Sequence, residues 1–150
     1  MERRESPAAG IVVRVHELVP KERWQAYYDE INDFEALLTG NGTTILKFFL
    51  HIDRDEQRKR LQDRYSDPTK QWKFQVGDLE ERKRWDDYMA AYEDALSRCS
   101  TEAAPWYAVP ANNKWHRDYM IGKILKKTLK RLKIKDPPAN PKLKGLKVPA

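Results

Sequence analysis

The segment from Thr43 to Ile52 constrains the fold of this chain more than any other. Its sequence, TTILKFFLHI, is nearly continuously apolar and rich in β-branched and aromatic residues. Such a run is typical of a parallel strand that is covered on both faces, so helices should flank it. A second short strand is indicated at Trp106–Pro110, and the β-branched run Ile11–Val15 is expected to form an edge or buried strand.

Helical patterns surround these strands. A helix is predicted after Pro20, where apolar residues recur with a helical period until Gly40-Asn41-Gly42 ends it. Asp53 and Glu56 have the spacing of a capping box, which predicts a second helix running to about Tyr65. This second helix is almost entirely polar, so it should face solvent or line a charged cleft.

Two further helices are predicted in the second half of the chain. Asp78 and Glu81 repeat the capping-box spacing, so a helix should begin at about Leu79. It carries one apolar stripe that must pack on something, formed by Trp85, Met89, Tyr92 and Leu96. Asn112 or Asn113 should cap a last helix, which is expected to continue to Asp136-Pro137-Pro138.

This order of elements indicates an α/β layer with a small parallel sheet. At 150 residues the chain is long enough for one domain with its own core. We expect a loose N-terminus at residues 1–10, the folded domain at 11–135, and a disordered, Pro- and Lys-rich tail at 136–150.

Charge is distributed unevenly along the chain. The net charge is +6, but residues 112–150 hold twelve Lys and Arg against Asp118 and Asp136, which is +10 and leaves −4 for the rest. The basic end should prefer a polyanion, and composition does not distinguish nucleic acid, an anionic membrane surface and polyphosphate. No long apolar run or secretory start occurs, and the single Cys99 fits a reducing compartment, so we expect a cytoplasmic protein without membrane contact.

A basic and aromatic loop precedes the aromatic-striped helix. Lys70, Trp72, Lys73 and Phe74 stand just before a predicted helix N-terminus, a place that suits an anion. The alternative is a solvated basic turn whose two aromatic residues pack locally. Sequence alone leaves both open. The chain contains no G-x-x-x-x-G-K-[ST], G-x-S-x-G, H-E-x-x-H or C-x-x-C motif.

Several ordered motifs together resemble one family. They are ILKFFLHI followed by D-x-x-E-Q-x-x-R, D-P-x-K-x-W-K-F, W-D-D-Y-M-x-A-Y-E-D-A-L-S-R, and A-P-W-Y-x-x-P-A-x-x-K-W. From about Ile11 to Leu132 the chain closely resembles the later part of the polyphosphate kinase type 2 family. The resemblance implies a partial P-loop-kinase-like, thymidylate-kinase-type three-layer fold: a small parallel sheet flanked by helices, with a helical lid. It also implies Mg²⁺ as cofactor and polyphosphate and a nucleotide, ADP, GDP or AMP, as partners.

The resemblance assigns roles to cations of the lid. Those expected to bind the substrate phosphates are Arg60, Arg64, Lys70 and Lys73, with Arg82 and Lys114 as weaker candidates. The family's Walker A loop and Walker B aspartate have no counterpart in this sequence. No catalytic residue or metal ligand is therefore assigned. We interpret Asp78 as a helix cap in preference to a metal ligand. Lys47 is interpreted as part of a structural ion pair in preference to a phosphate contact.

The resemblance thus implies phosphoryl transfer between inorganic polyphosphate and a nucleoside mono- or diphosphate. Little activity is expected from the isolated chain, because the phosphate cradle is missing. The alternative is a non-catalytic module that binds a polyanion, or one completed by a second chain or by self-association. Sequence-specific reading of nucleic acid is not expected, because the basic last helix must dock on the body through its own apolar face.

Overall fold

The computed structural model describes residues 7–141 and Lys144, and it has the α/β architecture expected from the sequence. Six helices and two strands make up this part of the chain. In chain order they are α1 (Pro7–Val15), α2 (Lys21–Gly40), β1 (Lys47–His51), α3 (Arg54–Ser66), α4 (Gly77–Lys83), α5 (Trp85–Arg98), β2 (Trp106–Pro110) and α6 (Lys114–Leu132), with a 3₁₀ turn at Gln71–Lys73 between α3 and α4. None of the helices within residues 7–141 is long and apolar enough to cross a membrane.

The strands β1 and β2 form a parallel two-stranded sheet, as predicted. Lys47 lies opposite Trp106 and His51 lies opposite Pro110. The regular part of the first strand covers residues 47–51, so the predicted strand at Thr43–Ile52 was too long at both ends. Phe48 stacks on Tyr107 across the pair, with ring centroids 5.5 Å apart, and this cross-strand contact helps to fix the register.

The predicted strand at Ile11–Val15 is wrong, because these residues form the second half of α1. Ile11 and Val15 are four residues apart, so on a helix they share one face, and both are buried against α2 and α5. Tertiary packing overrides the β propensity of the run. Residues 7–10, which were expected in a loose terminus, also belong to α1, whereas residues 1–6 lie outside the described part of the chain.

The core is built where α1, α2 and α5 meet. Ala91 and Ala95 form the fully buried face of α5, Cys99 just after the helix extends it, and these small side chains let α1 approach closely. Burial raises the pKa of the Cys99 thiol, in keeping with a packing role. The predicted stripe of larger residues, from Trp85 to Leu96, is only half-buried and does not form this face.

Lys47 is a buried cation on the sheet. Its Nζ donates to Glu35 Oε2 at 2.5 Å and to the Cys99 carbonyl oxygen at 2.6 Å, and it lies 5.4 Å from the ring centroid of Trp106. Its side chain and that of Glu35 are each only 9% exposed. The interpretation of Lys47 as a structural ion pair is therefore confirmed.

The helix predicted from Leu79 is in fact two helices. α4 begins at Gly77, and the chain bends at Arg84 before α5 begins at Trp85. Asp78 is not the N-cap of α4, because that position is Val76; instead, Asp78 Oδ2 accepts from the Gln75 N–H at 3.3 Å. The capping box predicted from its spacing is thus wrong, although the carboxylate still accepts a hydrogen bond from a backbone N–H just before the helix.

The first residues of α3 and α6 agree with the helix starts predicted from the sequence. Asp53 caps α3 and Asn113 caps α6, through their side-chain oxygens. α6 ends at Leu132 and not at Asp136, because Lys133 adopts a left-handed conformation with φ of 48°. Residues 134–140 show no helix or strand, and of the predicted disordered tail 142, 143 and 145–150 lie outside the described residues.

Candidate functional site

The C-terminal ends of β1 and β2 lie side by side and lead directly into α3 and α6. Asp53, which follows β1, and Asn112, which follows β2, join the two ends: the Asp53 N–H donates to Asn112 Oδ1 at 3.1 Å, and Asn112 Nδ2 donates to Asp53 Oδ2. Ligands of open α/β sheets bind outside this edge. The candidate site therefore lies at the C-terminal edge of the sheet.

Two helix N-termini meet at this edge. Asp53 Oδ1 accepts from the Glu56 N–H at 2.7 Å, and this bond, together with that from Asn112, lowers the pKa of the Asp53 carboxyl. Asn113 Oδ1 accepts from the His116 N–H at the start of α6. The positive ends of both helix dipoles thus point to the same edge, which favours negative charge.

A depression of about 600 Å³ opens beside this edge. Asp53, Asp55, Glu56 and Asp63 lie in its wall together with Arg58, Lys59, Gln62 and Asn112. Its charges are mixed, so it does not by itself form a phosphate cradle. The predicted cations lie mainly outside it, on the segment that follows.

We call residues 54–83, which run from α3 through the 3₁₀ turn to α4, the lid segment. Two of the predicted cations are fixed at its root. Arg60 Nε pairs with Glu56 at 2.8 Å, and its Nη2 donates to the Ala111 carbonyl at 2.6 Å. Arg82 Nη1 donates to the Arg54 carbonyl and to Gln57 Oε1, both at 2.7 Å. These donors are already engaged in holding the segment together.

Lys70 and Lys73 lie at the tip of the lid segment. Asp67 organises the turn: its Oδ1 accepts from the Thr69 N–H at 3.0 Å, and its Oδ2 pairs with Lys70 at 2.6 Å. The hydrogen bond from Lys70 is the main reason why the pKa of Asp67 falls to about 2, and the same pair raises the pKa of Lys70. The side chains of Lys70 and Asp67 are 52% and 33% exposed, so solvent reaches the pair, and it shapes the turn more than it stabilises the fold.

Lys73 has a different environment. Its Nζ lies 4.8 Å from the ring centroid of Trp72, which is 78% exposed. Phe74 packs locally, at 5.8 Å between its ring centroid and that of Tyr65. The structure therefore gives a mixed answer to the alternatives left open for this loop: Phe74 is local packing, whereas Trp72 and Lys73 remain accessible.

The other two predicted cations lie elsewhere. Arg64 is half-buried in the last turns of α3 and makes no ion pair within the described ranges. Lys114 is exposed at the first position of α6, at the end of the other strand. The fold thus places Arg64, Lys70 and Lys73 on consecutive parts of the lid segment, while Lys114 is on a separate element.

A second cleft, of about 300 Å³, lies between the end of β1 and α5. It is lined largely by aromatic and apolar residues, namely Phe49, Leu50, His51, Ile52, Gln57, Glu81, Trp85, Tyr88, Met89 and Tyr92. We call it the aromatic cleft. Trp85, Met89 and Tyr92 of the α5 stripe therefore line a cavity, and Tyr92 also packs against the core.

A polar cluster borders the aromatic cleft and was not predicted. Glu81 Oε2 accepts from Tyr88 Oη and lies 3.0 Å from His16 Nε2. The hydrogen bond from Tyr88, followed by that from His16, lowers the pKa of Glu81, while burial is the main cause of the raised pKa of Tyr88. His16 and Glu81 are 65 residues apart, so no local spacing in the sequence could have indicated this contact.

The described residues do not offer a metal site. Nowhere within residues 7–141 do three or more His, Cys, Asp or Glu side chains gather in a way that could hold an ion. The Mg²⁺ implied by the resemblance therefore has no fitting ligand set in this part of the chain.

Comparison with known proteins gives one consistent family. The family model described as polyphosphate kinase 2 matches residues 4–137. The AMP/ADP-polyphosphate phosphotransferase of Meiothermus ruber is 54% identical over 127 residues, which cover 85% of this chain and 48% of that protein. An uncharacterized protein in the chlN 3′ region of Leptolyngbya boryana is 43% identical, and the match covers 76% of this chain and 84% of that protein.

The fold comparison agrees. The crystal structure of polyphosphate kinase 2 from Arthrobacter aurescens TC1 superimposes with a TM-score of 0.86 at 45% identity, over 89% of this chain and 47% of that one. The chain thus spans about half the length of the Meiothermus protein and of the Arthrobacter structure. Sequence motifs, fold and family model all agree, and the chain belongs to the polyphosphate kinase 2 family.

Proposed function

We propose that this chain supplies the lid side of a polyphosphate-dependent phosphotransferase, which moves a phosphoryl group between inorganic polyphosphate and a nucleoside mono- or diphosphate. The observation that carries the proposal is the family match over residues 4–137, in a chain whose lid tip leaves Lys73 and Trp72 uncovered. Relatives named as AMP/ADP-polyphosphate and ADP-polyphosphate phosphotransferases support the substrate class.

The chemistry explains why the lid needs open cations. Phosphoryl transfer develops charge on the oxygens of the transferred group, and an enzyme accelerates it mainly by positioning and by charge stabilisation. Arg64, Lys70 and Lys73 would neutralise phosphate oxygens of the polyphosphate chain. Arg60 and Arg82 keep the segment in place and act as positioning residues.

Transfer is tested by mixing the purified chain with magnesium, polyphosphate and AMP, ADP or GDP. We expect little turnover from the chain alone, because the sequence has no Walker A loop to hold the nucleotide phosphates. Turnover above that of a Lys70→Ala/Lys73→Ala double variant would show that the chain suffices for catalysis and that the expectation is wrong.

Binding of polyphosphate gives the direct test of the lid. The wild-type chain should bind it with an affinity that falls steeply as salt is added, since each lysine contact with phosphate releases counterions. The double variant Lys70→Ala/Lys73→Ala should bind more weakly. A matched control is Lys21→Ala/Lys83→Ala, which removes the same charge from two exposed lysines outside the lid tip. Equal weakening by both pairs would contradict the proposal.

A second candidate function is polyanion binding without catalysis. The observation that favours it is the basic strip of α6, where Lys123, Lys127 and Lys130 are exposed on one side of the helix. If duplex DNA bound as tightly and with the same salt dependence as polyphosphate, this general electrostatic role would replace the specific one. Removal of residues 137–150 would then weaken both ligands equally.

Completion by another polypeptide is a further part of the proposal. About half of the length of the Meiothermus relative has no counterpart in the matched region. Either a chain with that other half or self-association of this chain would complete the domain. Sedimentation of the purified chain distinguishes a monomer from a self-associated form.

A further inference from the structure

A polar cluster ties the end of α1 to the bend between α4 and α5. Glu81 comes from α4 and Tyr88 from α5, whereas His16 directly follows the last residue of α1. The Glu81 carboxylate accepts from Tyr88 Oη and lies 3.0 Å from His16 Nε2, and Tyr88 Oη lies 3.3 Å from the same nitrogen. Arg84, at the bend, adds a second tie, because its Nη1 donates to the Val15 carbonyl at 2.7 Å. Three helices therefore meet at one carboxylate.

A Schellman cap fixes the backbone at His16. The Leu18 N–H donates to the Val13 carbonyl at 3.0 Å. The Glu17 N–H donates to the Arg14 carbonyl at 3.1 Å, and the two bonds together form the cap. Glu17 has a φ of 51°, a left-handed conformation that glycine usually supplies at this position. His16 is thus the C-cap residue of α1, next to the negative end of the helix dipole.

Protonation of His16 would strengthen its contact with Glu81. A neutral imidazole shares only a hydrogen bond with a carboxylate, whereas an imidazolium also forms an ion pair with it. Histidine side chains exchange this proton between about pH 5 and 8. Hydrogen bonds from Tyr88 and from His16 hold the pKa of Glu81 below its usual range, so its carboxylate remains charged there. Tyr88 remains a donor, because burial and Glu81 raise its pKa.

The surrounding charges leave His16 as the group of the cluster that titrates near neutral pH. Charged or titratable groups near it on α1, α4, the bend and α5 are Arg14, Glu17, Glu81, Arg84 and Tyr88. Carboxylates, phenols and guanidinium groups ordinarily titrate outside the range of histidine, and Arg14 is paired with Asp94. His51 lines the aromatic cleft together with Glu81, so it is a second imidazole that an experiment must separate from His16.

The cluster holds the last helix of the lid segment. α4 has only seven residues, none of them buried, so side-chain ties contribute much of what fixes its position. Arg82 ties α4 to α3, through the Arg54 carbonyl and Gln57 Oε1. Glu81, the preceding residue, ties the same helix to α1 and α5. A change at Glu81 therefore acts on how the lid segment is attached to the core.

We propose that His16, Glu81 and Tyr88 form a pH-sensitive latch, which holds α4 against α1 and α5 when His16 is protonated and loosens when His16 is neutral. The pH then sets how freely the lid segment moves relative to the core. This inference goes beyond the proposed function, because the latch consists of contacts within the chain and acts whether or not the lid tip binds polyphosphate.

Hydrogen exchange of the intact chain tests the latch. Protection factors, which correct for the intrinsic effect of pH on exchange, should be higher at about pH 6 than at about pH 8 for the amides of residues 81–84. We expect a change of about two- to fivefold, the size that a partly exposed ion pair supports. His16→Gln should remove this pH dependence. His16→Lys, which keeps a cation in place, should retain the higher protection at both pH values.

Matched variants separate the latch from other charges. Glu81→Gln keeps the shape of the side chain and should abolish the pH dependence. Glu80→Gln removes a neighbouring carboxylate of the same helix, one that pairs with Lys83, and should leave the pH dependence intact. His51→Gln removes the other imidazole of the aromatic cleft and should also leave it intact. Persistence of the pH dependence in His16→Gln, or its loss in His51→Gln, would overturn the inference.

NMR of the unaltered chain gives a readout that does not depend on the folding of variants. The ring resonances of Tyr88 should shift over the same pH range as those of His16, because both side chains contact Glu81 and their ring centroids lie 6.5 Å apart. Tyr88 resonances that do not follow those of His16 would overturn the latch. A latch in a chain that binds no polyphosphate would retain this inference and refute the proposed role of the lid tip.

Discussion

The root and the tip of the lid segment use their cations in opposite ways. At the root, Arg60 and Arg82 donate to backbone carbonyls and side chains of neighbouring elements. At the tip, Lys73 lies against the exposed Trp72, and Lys70 pairs with the partly exposed Asp67. All four residues carry the same formal charge, so charge alone does not indicate a ligand-binding role. A cation can bind an incoming phosphate only where its donors remain free.

Lys47 is the most deeply buried of the engaged cations in the described part of the chain. Its replacement should have the largest effect on the free energy of unfolding. In Lys47→Met the Glu35 carboxylate would stay buried without its partner, so we expect a loss of about 3 to 5 kcal/mol in the free energy of unfolding. Urea denaturation measures it. The double variant Lys47→Met/Glu35→Leu should recover most of the loss, and a loss below about 1 kcal/mol in the single variant would refute the structural role.

Arg60 and Arg64 lie in the same helix and allow a comparison of an arginine whose donors are engaged with one that makes no ion pair in the described part of the chain. Arg60→Ala should lower the free energy of unfolding by about 1 to 3 kcal/mol, because the Ala111 carbonyl and Glu56 lose a charged donor. Arg64→Ala should change it by less than about 0.5 kcal/mol and should weaken polyphosphate binding instead. Thermal unfolding and polyphosphate titration of both variants provide the test. Similar effects of the two variants in either assay would remove the distinction between engaged and open cations.

The two lysines of the tip should act on binding and hardly on stability. Replacing both by alanine should lower the slope of log affinity against log salt by about 2, which is about 1 for each lost phosphate contact. The unfolding midpoint should stay within the error of the measurement, because both side chains are exposed. An unchanged salt slope would show that the tip does not contact polyphosphate.

Acidification should produce the smallest effect, confined to the turn at Asp67. The pKa of Asp67 is about 2 in the folded chain and about 3.9 in an unfolded one, so its contribution is present above pH 4 and is lost as the pH falls toward 2. The Thr69 amide resonance should report this titration by NMR. In Asp67→Asn the pH-dependent change should vanish, and a Thr69 titration near pH 4 in the wild type would mean that Lys70 does not hold the carboxylate.

Local chemistry allowed much of this fold to be predicted. The caps at Asp53 and Asn113, the end of α2 near Asn41 and the strand at residues 106–110 all follow from residue types within a few positions of one another. The cations of the lid were identified by resemblance, but their division into engaged and open groups was not. The acceptors of Arg60 and Arg82 lie up to 52 and 28 residues away, beyond the reach of any local pattern.

Errors arose where one local pattern fits two structures. Ile11–Val15 has the composition of a strand, yet α5 offers the small residues Ala91 and Ala95, against which Ile11 and Val15 pack from a helix. The stripe on α5 was expected to pack on another element; Tyr92 packs against the core, whereas Trp85 and Met89 line an open cleft together with Tyr92. In both cases the choice depended on which surface the rest of the chain presented.

The sequence by itself determined the class of fold, the pairing of two parallel strands and the family, because these depend on periodicity, caps and ordered motifs. Tertiary structure decided which cations are engaged, that α1 is a helix, and that part of the α5 stripe lines a cleft. The physical reason is that burial and hydrogen-bond satisfaction are properties of surfaces brought together from distant parts of the chain, and a local pattern does not encode their partners.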